Sequence, residues 1–141
     1  MRFGKVWVSP GFLLMGALLL YLNPQGLIWE ILFAWGCHEA AHIAVLYMVG
    51  GGVRRFWLTV NGADIETEQR REMSYFGEVL SVLAGPGCNL LMATAFAQAG
   101  EAWYPAAGVQ LVLGVFNLLP FPGLDGRRVL LLLKALIWRS V

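Results

Sequence analysis

Long apolar runs separated by short polar breaks dominate the chain. Residues 6–22 carry no charge and stop at Asn23 and Pro24, which predicts a first spanning helix at the short end of the usual length. Arg2 and Lys5 ahead of that run would suit a signal peptide, but Leu20-Tyr21-Leu22 offers no small-residue cleavage pattern. Residues 26–49 are apolar apart from one polar cluster and lead into Gly50-Gly51-Gly52, where three permissive residues are expected to release a second helix. The next stretch, 53–74, is rich in charge. Within it Phe56, Leu58 and Val60 alternate at period two before Asn61-Gly62, the pattern of a β-hairpin, placed at the membrane surface. Residues 79–99 form a third apolar run, and Gly85-Pro86-Gly87 near its start is expected to leave the first turns as loop or distorted helix. Residues 106–119 are too short to cross alone. With 129–138, beyond a Pro/Gly-rich break, they make one discontinuous crossing. The expected architecture is an all-α polytopic membrane protein in a single domain, with about four crossings, the fourth broken, and a small surface hairpin.

Composition supports lipid as part of the solvent. The 141 residues are 58% hydrophobic and 13% charged, against about a quarter charged in soluble domains. A chain this short has too little interior to hide so much apolar surface. The formal charge of +1 gives no basic excess of the kind that nucleic-acid binding needs. If the crossings alternate, the basic residues collect on the side shared by both termini and residues 50–75, and the positive-inside rule assigns that side to the cytoplasm. Trp7, Trp29, Trp103, Tyr104 and Trp138 stand near the expected span ends, where either an interfacial belt or core packing accounts for them. Cys37 and Cys88 both sit in apolar runs, unlike the cysteines of a disulfide scaffold or a four-ligand zinc finger.

The second span contains His38-Glu39-Ala40-Ala41-His42, with the only two histidines of the protein. On a helix, positions i and i+4 share a face, so both imidazoles can bind one zinc ion while Glu39 reaches solvent beside it. At about 1.5 Å of rise per residue, His42 lies about 12 Å inside the glycine end of the span. A carboxylate at that depth costs about 2.5–3.5 kcal/mol unless it has a partner and a use. A catalytic zinc site ordinarily has three protein ligands. Asp125, in the broken fourth crossing, is the leading candidate for the third, with Cys37 and Cys88 as soft alternatives. Asn89, just after the Gly-Pro pair, suits either the orientation of a peptide and its oxyanion or a hydrogen bond between helices.

Three motifs in order, H-E-x-x-H at 38–42, A-G-P-x-x-N at 84–89 and N-x-x-P-x-P-x-L-D-G at 117–126, together resemble the site-2 protease family of intramembrane zinc metalloproteases, including its sporulation-factor branch. The resemblance covers residues 27 to about 130. It implies one catalytic zinc held by His38, His42 and Asp125, with Glu39 as the base and Asn89 assisting. It also implies membrane-spanning or membrane-anchored protein substrates cut within or near the bilayer. Ala40-Ala41 stands where that family often has Leu-Gly, and Arg127 where it often has a second glycine. No PDZ or CBS domain of the kind many relatives carry is expected within these 141 residues. A spanning helix has its backbone groups paired internally, so substrate must unwind before it can be cut. The hairpin edge, with Phe56 and Leu58, is expected to pair with extended substrate by strand addition, while the broken segment with Asn117 and Pro120 lines the other side. A catalytically inactive scaffold binding partner helices and a metal transporter are the rival readings.

Overall fold

A computed structural model describes residues 2–3, 6–22, 26–59, 62–69 and 73–139. Its helices are α1 (Pro10–Leu22), α2 (Leu27–Met48), α3 (Tyr75–Gln98), α4 (Tyr104–Asn117) and α5 (Asp125–Arg139), with a single 3-10 turn at Glu101–Trp103. Four strands, β1 (Arg2–Phe3), β2 (Val6–Val8), β3 (Gly51–Thr59) and β4 (Gly62–Gln69), form one mixed sheet in the order β1-β2-β3-β4.

Helices α2 and α3, of 22 and 24 residues, are long and apolar enough to cross a membrane. At about 1.5 Å per residue, α1, α4 and α5, with 13, 14 and 15 residues, each fall short of a hydrocarbon layer of about 30 Å. Only α2 and α3 thus qualify as full crossings among the described residues, while the short α4 and α5 have the lengths expected of a broken one. The first predicted span is shortened because residues 6–8 leave the helix: Val6, Trp7 and Val8 pair in parallel with Phe56, Trp57 and Leu58. β-Branched and aromatic residues suit that pleated edge. The all-α expectation is corrected accordingly, since the surface hairpin is half of a four-stranded sheet.

The hairpin itself is present, with β3 and β4 antiparallel from Gly51↔Gln69 to Thr59↔Gly62. Val60 and Asn61 of the expected pattern lie outside the described residues. The third helix also departs from expectation. Pro86 sits within a continuous α3 rather than in a loop, and Ser74 caps its start by accepting from the Gly77 amide at 3.1 Å. The Pro/Gly-rich break lies where the motif placed it, between α4 and α5.

Helix α3 is the centre of the bundle, packed against α2, α4 and α5. Small residues are among those buried on the helices, Ala34, Ala93, Ala107, Gly85 and Gly114, which lets backbones approach closely, as between membrane helices. The outer face is the apolar one, with Phe76 75% and Leu91 72% exposed, a surface that lipid would cover and water would not. Trp7, Trp29, Trp103, Tyr104 and Trp138 are all exposed, so none packs in the core. Phe96 and Trp103 stack at 5.3 Å between ring centroids.

Candidate metal centre

Helical spacing puts His38 and His42 on the face of α2 that meets α3, their rings edge to face at 4.7 Å. Asp125 arrives from the first turn of α5. The turn before it reverses at Gly123, whose φ is 90°, in the left-handed region where glycine is at ease. The chain then folds back so tightly that a Cβ on Gly126 would strike the Leu118 and Leu119 carbonyls. The L-D-G sequence thus delivers the carboxylate: leucine half-buried, aspartate buried, glycine admitting the backbone.

The three side chains converge. Asp125 Oδ2 lies 3.0 Å from His38 Nε2 and 3.1 Å from His42 Nε2, and the two Nε2 atoms are 3.1 Å apart. Their outer ring nitrogens are committed: His38 Nδ1 donates to Asn89 Oδ1 at 2.5 Å and His42 Nδ1 to the Ser81 carbonyl at 2.8 Å. Each neutral imidazole holds one proton. With that proton on Nδ1, both Nε2 atoms point lone pairs at each other and at a carboxylate oxygen. Such a triangle is repulsive unless a metal ion or an added proton is shared within it. Zinc ligands at about 2.0–2.1 Å in tetrahedral array stand about 3.3 Å apart, close to the observed edges, and two nitrogens with one carboxylate oxygen are donors zinc accepts. The donor set fits the metal. Asp125 completes it, whereas Cys37 and Cys88 are free, half-buried thiols outside the group.

The surroundings hold the ligands in place, as outer partners of metal-bound histidine do. Pro86 lacks the N–H that would bond the Val82 carbonyl, and one residue earlier the Ser81 carbonyl turns to His42. Gly85, on the next turn of α3, lies against both imidazoles: a Cβ there would sit 2.7 Å from His38 Nε2 and closer still to His42 Nε2. Asn89 is fully buried, and besides His38 it meets the Ala34 carbonyl at 3.1 Å and Gln110 Oε1 at 2.5 Å through its Nδ2. Asn89 thus makes hydrogen bonds from α3 to both α2 and α4, the interhelical kind the sequence suggested. Glu39 follows His38 on α2 and is half-buried.

The remaining predicted contacts are not gathered at this centre in the same way. Asn117 turns its amide back to the Leu113 carbonyl at 3.0 Å, within its own helix, and Pro120 is exposed in the turn after α4. Phe56 and Leu58 lie on β3, but the edge they were expected to offer is taken by β2, and the Leu58 carbonyl accepts from the Ser9 amide at 2.9 Å. The open-edge expectation is thus corrected at 56–58, because the chain supplies its own strand there. Sequence reasoning missed Gly85 as a contact surface, Gln110 and the Ser81 carbonyl. Only the Gly-Pro pair carried a signal, and it was read as a distortion.

An apolar helical bundle enclosing a buried His-His-Asp centre defines the type of protein. Among solved structures the chain is similar to the site-2 protease from Methanocaldococcus jannaschii, with a TM-score of 0.70 and 19% identity over 92% of this chain and 68% of that one. The chain therefore has the site-2 protease fold. No protein-family model and no curated protein matches the sequence.

Proposed function

We propose that this chain is an integral, multi-pass membrane zinc metalloendopeptidase of the site-2 protease family, cutting membrane-spanning or membrane-anchored proteins within or near the bilayer. The observation that carries the reading is the triangle of His38, His42 and Asp125 acceptors, a donor set suited to a metal ion, with the half-buried carboxylate of Glu39 next to His38 on α2. Bound zinc supplies a Lewis acid that polarises a carbonyl and makes water a competent nucleophile near neutral pH. Glu39 takes the proton of the attacking water and returns it to the leaving nitrogen. His38 and His42 keep their Nε2 lone pairs directed inward because Asn89 and Ser81 hold the opposite nitrogens. Substrate comes in as unwound chain, since a paired helix offers no free peptide group. Pairing it along Phe56 and Leu58 requires β2 to move aside. Both termini are placed in the cytoplasm on the charge distribution. A scaffold leaves Glu39 without a task, and a transporter needs relay residues on several helices.

Co-expression with tagged single-span proteins tests the proposal. The parent is expected to yield a chelator-sensitive fragment. Glu39→Gln should lower its rate at least ~100-fold, the low end for loss of a general base, while retaining zinc, and Asp125→Asn should lose both. The same fragment from all three proteins would end the protease reading.

A further inference from the structure

We infer that Gln110 is a positioning residue for the metal centre, setting through Asn89 which nitrogen of His38 carries the proton. Gln110 lies on α4, away from the H-E-x-x-H helix, in the buried stripe Ala107, Gln110 and Gly114 that faces α3. It is 1% exposed, and its oxygen is engaged there by the Asn89 amide. Gly114, one turn on, lets α4 come close enough: a Cβ there would stand 3.1 Å from Asn89 Cβ.

The chemistry runs through three side chains. Asn89 presents an oxygen to His38 Nδ1, so its nitrogen must face the other way, where Ala34 O and Gln110 Oε1 each accept one of its two N–H bonds. Turning the Asn89 amide over would put its N–H against His38 Nδ1, force the imidazole proton onto Nε2 and block that atom as a ligand. It would also set Asn89 oxygen against the Ala34 carbonyl and the Gln110 oxygen. The Ala34 carbonyl cannot turn, and Gln110 adds the second acceptor that leaves Asn89 with no unpaired hydrogen. Turning Gln110 instead would oppose two N–H groups. Its own Nε2 has no hydrogen-bond partner among the described residues, so the amide is held for its oxygen.

This inference rests on the zinc reading of the site, and its test separates the two. Zinc affinity is measured by chelator competition for the full chain in lipid nanodiscs. Gln110→Met, similar in bulk but without an acceptor, is expected to bind zinc about 10–100-fold more weakly, the usual cost of losing an outer partner, and Gln110→Glu, which keeps an oxygen, to stay within about threefold of the parent. In an Asn89→Asp background either carboxylate oxygen serves His38, so adding Gln110→Met should cost less than about threefold more. Nitrogen NMR of the His38 ring in the metal-free parent should find the proton on Nδ1, a readout that needs no variant. A parent His38 with no proton on Nδ1, full zinc affinity in Gln110→Met, or an undiminished penalty in the Asn89→Asp background would each overturn the inference. A parent that binds no zinc while His38 carries its proton on Nδ1 would overturn the metalloprotease reading and leave the positioning role standing.

Discussion

Gly85→Ala is expected to cost the protein its zinc, with affinity falling at least ~100-fold, although glycine brings no ligand and no proton. The added methyl carbon would lie 2.7 Å from His38 Nε2 and His42 Cε1 and nearer to His42 Nε2. Neither ring can yield, because His38 is tied to Asn89 and His42 to Ser81 through the opposite nitrogens. Relief comes only by moving α3 away from α2, which withdraws Asn89 and Ser81 together. Gly87→Ala is the control: the same motif and helix, but a Cβ there meets nothing within 4 Å. Its zinc affinity should stay within about threefold of the parent, and a few tenths of a kcal/mol or more of helix stability should be gained. Equal affinity in both variants would show that the α2–α3 contact does not shape the centre.

Removing the metal is expected to destabilise the parent and to leave Asp125→Asn unmoved. A ligand bound to the folded state alone at 100 times its dissociation constant stabilises it by about 2.7 kcal/mol, and that increment should vanish on chelation and return with excess zinc. In the proposed site the carboxylate would supply one of three ligands, so Asp125→Asn should show no zinc increment. Thermal unfolding in detergent with and without chelator measures both quantities. A zinc increment in Asp125→Asn as large as in the parent would place the ion elsewhere.

The β2 strand lies along one side of β3 at residues 56–58. Sheet edges attract further strands, and along 56–58 of β3 that attraction is satisfied within the chain.

The parts of the site carried by local periodicity were legible from residues alone. His38 and His42 stand four apart on a run long enough to be a helix, so their shared face follows from the pitch, and Asp125 was the carboxylate set in a Pro/Gly-rich break that a helix could not bridge. Alternation at Phe56 and Leu58 gave the hairpin for the same reason. What depended on the distance between elements could not be read in this way. Pro86 marked a break by its local chemistry, yet the helix continues through it and the nearby Ser81 carbonyl is used by a ligand from another helix. Gly85 is needed for what lies across from it, Gln110 for an amide on α3, and β3 accepts residues 6–8 across more than forty intervening positions. Repeat and composition therefore determined which residues could meet a metal. The packing of α3 against α2, α4 and α5 decided how they face one another, because hydrogen-bond direction and steric fit over a few ångströms exist only once the helices are together.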